Sequence, residues 1–407
     1  MFTLRSTKPA KRILGGVVVF ALIVIAAFAI KSARAFRNRS QLGADNRTSS
    51  QKAAEAFARP TSTQSSYASD KPTVEELGTV PSTLDSRYWL FFVDEQNGWF
   101  ADFQKLWWSS DGGRNWKLLF SHKDDTFDIF FSNLQVGWME RASGTYRTED
   151  GGANWIKVLT PIEYPKGMNA GMYFLNDGQI GWLAGGLYKP VSLKRFLEES
   201  PASYLVRGST EDGGNAFLYQ SILKTTDGGK TWRKQSLPDE VGEIFSLNFA
   251  DDKRGVALGG SDIFFTKNGG KQWSPAVLKP ECVDPDFIKF PDSRPRAVAF
   301  AEPSLAWVSY DNGRVLKSTD GAENWCDLLR PEEVWHRGEH DAYFQKLYFN
   351  SPTRGWGLKA NGTLHKTEDG GRTWTPLDLS GAKVWEIQFF KDHALLVTRD
   401  KLLRITF

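Results

Sequence analysis

Cysteine and methionine are scarce: the 407-residue chain carries two of the first and four of the second. A mini-domain stapled by several disulfides is therefore excluded. No glycine-rich phosphate loop and no Ser/His/Asp nucleophile signature occurs, so the sequence announces neither nucleotide chemistry nor acyl transfer. A large surplus of one charge is lacking as well. The net charge of +3 divides into 12 Lys/Arg against 5 Asp/Glu over 1–80, and 39 against 43 over 81–407. A mildly acidic body does not offer the clustered positive charge that phosphate contacts require, so no nucleic-acid partner is expected. What is abundant points elsewhere. With 41% hydrophobic residues the chain is neither a disordered tail nor a collagen-like fibre, and its 37 glycines, 16 tryptophans and 28 phenylalanines suit many short strands joined by tight turns.

One hydrophobic run is long. Residues 13–30 are 18 residues without a charge, and as a helix they would rise about 27 Å, enough for a bilayer core. Arg5, Lys8, Lys11 and Arg12 precede the run, and Lys31, Arg34, Arg37 and Arg39 follow it, so charge alone does not set its orientation. Ala33-Arg34-Ala35 also fits a signal-peptidase site. Two outcomes stay open: a membrane anchor behind a basic tail at 1–12, or a secreted protein cleaved near Ala35. Both place the body outside the cytoplasm, in a periplasmic or lumenal space. Residues 31–71, rich in Ser, Thr, Gln and Ala, read as a flexible linker that cannot bury enough surface to offset its ordering entropy.

Beyond the linker a repeat takes over. Six segments share one ending, built on Ser109, Asp111 and Trp116; Thr148, Asp150 and Trp155; Thr225, Asp227 and Trp232; Thr266, Asn268 and Trp273; Ser318, Asp320 and Trp325; and Thr367, Asp369 and Trp374. Each has Gly-Gly after the Asp or Asn, except for Gly321-Ala322. This is the Asp-box pattern, Ser/Thr-x-Asp-x-Gly-x-x-Trp. Trp99, Trp138, Val256, Trp307 and Trp356 precede their box Asp or Asn by 12 or 13 residues, and Trp182 does so by 45, so the third repeat holds an insertion, placed at 187–220. Period-two alternation between these markers, with turns such as Asp311-Asn312-Gly313 and Ala360-Asn361-Gly362, predicts antiparallel four-stranded units, for example strands at 346–349, 355–358, 363–367 and 374–377. One such sheet cannot hide both faces. Arranged radially, neighbours cover each other, and the predicted fold is an all-β, seven-bladed β-propeller over 72–407. The seventh blade follows from the C-terminus: 384–390, 393–398 and 401–407 supply three strands after the sixth box, and 74–80 is left to complete them.

The box Asp and Asn residues are expected to be structural. Their side chains can accept N–H bonds across their own turn, glycine permits positive φ, and the box tryptophan packs between blades. Asn268 keeps the acceptor without the charge. No catalytic residue, metal site or cofactor is assigned. Box turns share one rim with the turns between first and second strands, so irregular segments gather on the opposite rim, where binding usually resides. Those segments are the insertion, 279–296 and 330–341. In the insertion Arg195 and Phe196 belong to a short stretch of helical spacing with Leu193 and Leu197, readable as a lid on the ring or as a docking helix for a partner. Thr210-Glu211-Asp212-Gly213-Gly214 imitates a box, but no tryptophan follows. In the last segment Trp335, His336, Arg337 and His340 form the densest cluster of chemically able side chains, better suited to a protein partner than to a metal. Cys282 and Cys326 fall in or beside successive blades, and a disulfide and two buried thiols both remain open.

The stretch from Phe349 and Pro352 through Gly355-Trp356 and Asn361-Gly362 to Thr367, Asp369 and Trp374 resembles the photosystem II stability/assembly factor propellers. Blades two and three share the likeness; blades four and five depart from it, with Val256 for Trp, Asn268 for Asp and Ala322 for Gly. The resemblance covers 88–407 and implies a non-enzymatic, extracytoplasmic scaffold that holds membrane proteins during assembly. The same boxes occur in sialidases, whose Arg-Ile-Pro motif is absent here, and in xyloglucanase-type hydrolases, which resemble two fused propellers. A glycan-binding or glycan-cleaving protein is the alternative, although no spacing singles out a carboxylate pair among Asp284, Asp286, Glu332 and Glu333.

Overall fold

The alternating segments pair into seven sheets of four or five strands. A computed structural model of the chain describes residues 72–81, 88–158, 171–175, 178–190, 208–209, 215–238, 244–260, 262–283, 293–329 and 343–407. All belong to the second of the two units, Met1–Ser69 and Asp70–Phe407, into which the chain divides. Among the described residues every regular element is a strand, and no helix is long and apolar enough to cross a membrane. The hydrophobic run at 13–30 and the linker at 31–71 lie outside the described residues.

Each sheet is one blade of a propeller. Blade 1 comprises Trp89–Phe92, Gly98–Ala101, Lys105–Ser109 and Lys117–Ser121; blade 2 comprises Thr126–Phe131, Gly137–Arg141, Gly144–Thr148 and Ile156–Lys157. Blade 3 is Gly171–Phe174, Gly181–Pro190, Asn215–Thr225 and Arg233–Lys234, with Gly208–Ser209 beside its third strand. Blade 4 is Ile244–Phe249, Gly255–Gly259, Asp262–Thr266 and Ser274–Pro275. Blade 5 is Pro295–Glu302, Leu305–Tyr310, Val315–Ser318 and Asn324–Leu329, and Val277–Leu278 runs parallel along its outer edge. Blade 6 is Phe344–Phe349, Gly355–Lys359, Leu364–Thr367 and Thr375–Pro376. Glu386–Phe389, His393–Val397 and Lys401–Thr406 form blade 7, and Thr73–Thr79 completes it by pairing antiparallel with Lys401–Thr406. This closing strand is tied further by Lys401 to Glu76 (2.7 Å) and by Arg114 of blade 1 to Glu75 (2.9 Å).

Each blade meets the next through a named contact that involves an inner strand. Phe91 meets Phe130 edge-on at 4.9 Å, and Phe130 stacks on Phe174 at 5.1 Å. The Tyr173 hydroxyl donates to the Phe249 carbonyl (2.7 Å), Asn248 Nδ2 to the Val298 carbonyl (3.1 Å), and Ser309 Oγ to the Phe344 carbonyl (2.6 Å). Tyr348 stacks on Phe389 at 4.9 Å. Gln388 closes the circle, donating to the Phe92 carbonyl (2.9 Å) while accepting from the Phe92 amide (2.6 Å).

The repeated Gly-Trp pair explains how the wedges between blades are filled. A methyl placed on Gly98, Gly137, Gly181, Gly255 or Gly355 would lie 2.3–2.5 Å from a ring carbon of Phe92, Phe131, Phe174, Phe249 or Phe349. Only glycine lets the inner-strand phenylalanine lie that close. The tryptophan that follows stacks on the corresponding phenylalanine of the next blade: Trp99 on Phe131 at 3.7 Å, Trp138 on Phe174 at 4.1 Å, Trp182 on Phe249 at 3.5 Å and Trp307 on Phe349 at 3.7 Å. The box tryptophan stands edge-on to that same phenylalanine from within its own blade, as Trp155 does to Phe131 and Trp374 to Phe349, both at 6.0 Å. At these four boundaries the ring that stacks across is therefore the second-strand tryptophan, and with the box tryptophan it makes a sandwich of three aromatic rings. Stacked aromatic pairs add roughly 0.5–1.5 kcal/mol beyond their buried area.

One segment differs from the sequence expectation. The insertion is not irregular from residue 187: its strands stay paired as far as Pro190 opposite Ala216, as one long hairpin. The backbone alternation simply continues past the blade. The helical stretch with Arg195 and Phe196 and the box-like turn at 210–214 lie outside the described residues. At the boundary between blades 4 and 5 the departure is the one the sequence already carries. Val256 stands where blades 1, 2, 3, 5 and 6 offer a tryptophan, and it shares one apolar cluster with Ala322, Trp325 and Phe300.

Candidate functional site

The two rims are chemically unlike. On the first, each box turn is closed by its own hydrogen bonds. Asp150 Oδ1 accepts from the Thr148 hydroxyl (2.8 Å) and the Asn154 amide (2.9 Å), and Oδ2 accepts from Asn154 Nδ2 (2.8 Å). Thr148 Oγ1 in turn accepts from the Gly152 amide (3.0 Å). The first glycine of every turn donates to the turn between first and second strands of the same blade: Gly112 to Gln96, Gly151 to Gln135, Gly228 to Gln179, Gly269 to Lys253, Gly321 to Ser304 and Gly370 to Thr353. Asn268 accepts from Thr266 and Gln272 just as the aspartates do. Slight burial raises the Asp227 carboxyl, but bonds from Thr231 and Thr225 outweigh it and hold the pKa near about 2. Three of the hydrogen bonds this carboxylate can accept are thus made within its own turn.

The opposite rim carries arginine–carboxylate pairs instead of box turns. Between blades 1 and 2, Arg141 binds Asp124 and lies over the Tyr146 ring at 4.4 Å, while Ser143 also donates to Asp124. His122 is buried beneath this group; burial and the Arg141 charge hold its pKa below the ordinary value. On blade 5, Arg296 pairs with Asp311 (3.1 Å) and covers the Tyr343 ring at 5.4 Å, and Arg314 pairs with Asp327 (3.1 Å). Trp385, at the entry to blade 7, is 54% exposed. Arg296 over the Tyr343 ring and the exposed Trp385 are side chains of the types that anchor peptide contacts.

Just inside this rim the inner strands carry charge. Asp128 of blade 2, Lys346 of blade 6 and Glu386 of blade 7 occupy equivalent register positions, opposite Glu140, Leu358 and Val397 of the second strands. Lys346 binds Glu386. Enclosure by the ring pushes Asp128 up to about 7, although part of its surface stays open; the Ile129 amide and Lys346 pull the other way. Glu140 is fully buried, and burial pushes it up to about 8, with Asp128 adding to the effect. Both carboxyls sit on one blade rather than across a cleft, which is not the opposed geometry of glycoside hydrolysis. Glu140, fully buried, can hold a proton.

Arg195, Phe196, Trp335, His336, Arg337 and His340 lie outside the described residues, as do Asp284, Asp286, Glu332 and Glu333. Among the described residues no three His, Cys, Asp or Glu side chains group as a metal site would require. Sequence reasoning passed over Asp128 and Glu140. The available signal was positional: where Glu140 sits, the other blades carry Ala101, Ala184, Leu258, Ser309, Leu358 and Val397.

Ring, aromatic sandwiches and self-bonded turns together define a seven-bladed β-propeller with one regular rim. No family model matches the chain. It is 25% identical over 170 residues to the Photosystem II assembly lipoprotein Ycf48 of Trichormus variabilis, which takes in 33% of this chain and 48% of that protein. The Nostoc protein of the same name gives the same figures, so the chain spans about half the length of the curated relatives it matches. Among solved structures, YCF48 bound to D1 peptide is similar with a TM-score of 0.55 and 19% identity, covering 84% of this chain and 96% of that one. An ancestral GH74 enzyme (0.54, 10% identity, 82% and 46% covered) and a virginiamycin B lyase from Staphylococcus aureus (0.55, 12%, 83% and 100%) share the fold. In sequence and ring architecture the chain resembles the photosystem II assembly factor propellers.

Proposed function

We propose that this chain is a non-catalytic scaffold that binds a membrane-protein partner during its assembly, outside the cytoplasm, held to the membrane by residues 13–30. The observation that carries this reading is the 25% likeness to the Ycf48 assembly lipoproteins. Two further points support it. A similar ring has been solved with a peptide bound, and the rim free of box turns carries Arg296 and the exposed Trp385. An extended segment of the partner would lie on that rim. Affinity capture from native membranes with the full chain should recover a membrane protein, and replacing Arg296 and Trp385 together by Ala should abolish the recovery. A partner-free product from intact membranes would overturn the reading. The glycan alternative rests on shared fold alone, and polysaccharide hydrolysis by the purified chain would establish it instead.

A further inference from the structure

We propose that the bond between Cys282 and Cys326 is a redox modification site, opened by a dithiol, and that it stands in for the missing aromatic stack between blades 4 and 5. The two cysteines are bonded, with Cα atoms 5.1 Å apart and a sequence separation of 44. The position of the bond gives it meaning. At four other boundaries a tryptophan stacks across on the next blade's phenylalanine; here Val256 stands in its place. Instead the chain leaving blade 4 attaches itself to the edge of blade 5. Val277–Leu278 lies parallel to Asn324 and Trp325, with the Val277 amide donating to the Glu323 carbonyl (2.8 Å) and the Lys279 amide to the Trp325 carbonyl (3.0 Å). The segment then turns, the Val283 amide donating to the Lys279 carbonyl (2.9 Å), and the Asp327 amide donates to the Cys282 carbonyl (3.2 Å). Val283 plugs the Val256 cluster and is buried, and Lys267 of blade 4 pairs with Glu323.

The disulfide fastens this added strand to the outer strand of blade 5. Both cysteines are partly exposed, so a reductant reaches the bond without opening the core. The step balances simply. A thiolate of the dithiol attacks one sulfur and forms a mixed disulfide, its second thiol displaces the protein sulfur, and two electrons and two protons pass to Cys282 and Cys326. The protein gains two thiols and the dithiol leaves as a disulfide. Losing the link frees 277–283 from blade 5, while the boundaries stacked by Trp99, Trp138, Trp182 and Trp307 are untouched.

The test uses the full chain, with dithiothreitol as the dithiol, under native conditions. Alkylation followed by mass measurement should show two modified cysteines after treatment and none before. Hydrogen exchange at Val277, Lys279, Val283 and Asp327 should then quicken by about tenfold or more, with blade 6 unchanged. Cys282→Ser/Cys326→Ser should show the same fast exchange without dithiol. Failure of the folded protein to be reduced, no change in exchange after reduction, or acceleration spread evenly over all blades would each overturn the proposal.

Discussion

The boundary between blades 5 and 6 and the one between blades 4 and 5 flank the same sheet and are held differently. At the first, Trp307 stacks on Phe349 at 3.7 Å, donates through Nε1 to the Gly370 carbonyl (2.9 Å), and has Lys317 over its other face at 4.9 Å. At the second, Val256 packs with Ala322 and Trp325, and a strand and a disulfide are added outside. The departures at the second boundary fit one another. In the other boxes a methyl on the second glycine would press on the preceding blade, at 2.4 Å from Trp138 Nε1 for Gly229 and 2.9 Å from Trp182 Nε1 for Gly270. With a valine at 256 that room is free, and the Ala322 methyl occupies it. Ala322 accepts a φ of 72° to do so, a conformation that costs an ordinary residue about 1 kcal/mol or more. The lesson is that a propeller requires a filled wedge, not a particular residue in it.

Deleting 72–80 tests the ring as a whole. Blade 7 would lose its outer strand and blade 1 the Glu75 link, so the melting temperature should fall by about 10 °C or more; an unchanged melt would show that closure lies elsewhere. Trp307→Ala and Val256→Ala then compare the two boundaries directly. Chemical denaturation should give a loss of about 3–5 kcal/mol for the first and about 1–3 kcal/mol for the second, and equal losses would erase the distinction.

Blade 2 supplies a test by pH. A carboxyl whose folded pKa lies above its unfolded value of about 4.3 binds more protons folded than unfolded. Stability from Glu140 is therefore full at low pH and declines as pH rises toward about 8. Glu140→Gln should melt roughly 2–4 °C above the wild type at pH 8.5 and show no gain at pH 4; a constant difference across that range would mean Glu140 is not held neutral. The box aspartates run the opposite way. Bonds from Asn154, set against slight burial, hold Asp150 below the ordinary aspartate value, so its contribution is present above about pH 4 and fades as the solution becomes more acid. Asp150→Asn should cost about 1 kcal/mol or less at pH 7, since Asn268 already makes such a turn, and the deficit should shrink below pH 4.

Much of this architecture was readable from the chain because it repeats. The box turns and Gly-Trp pairs mark strand order, and the three strands after Trp374 require a fourth from the N-terminal side, found at Thr73–Thr79. What repetition hides is which ring does which task. Both Trp138 and Trp155 recur at fixed spacing, and only coordinates show that Trp138 crosses to Phe174 while Trp155 stays with Phe131. The pairing of Val256 with Ala322 is hidden for another reason: each is a departure in a different repeat, and they meet only across a boundary. Asp128 and Glu140 are ordinary acids in sequence and become unusual only when the ring encloses them. The binding rim was readable as a direction, the side without box turns, but not as residues, because its arginine–tyrosine pairs join different strands, as Arg296 and Tyr343 do.

The idea that boundary residues answer one another across blades is tested most directly by a double-mutant cycle on Val256→Trp and Ala322→Gly, read by equilibrium denaturation. Val256→Trp alone should destabilise by about 1–3 kcal/mol, because the Ala322 methyl fills the place of the ring. In the Ala322→Gly background the same change should cost at least ~1 kcal/mol less. Strict additivity of the two substitutions would contradict the account.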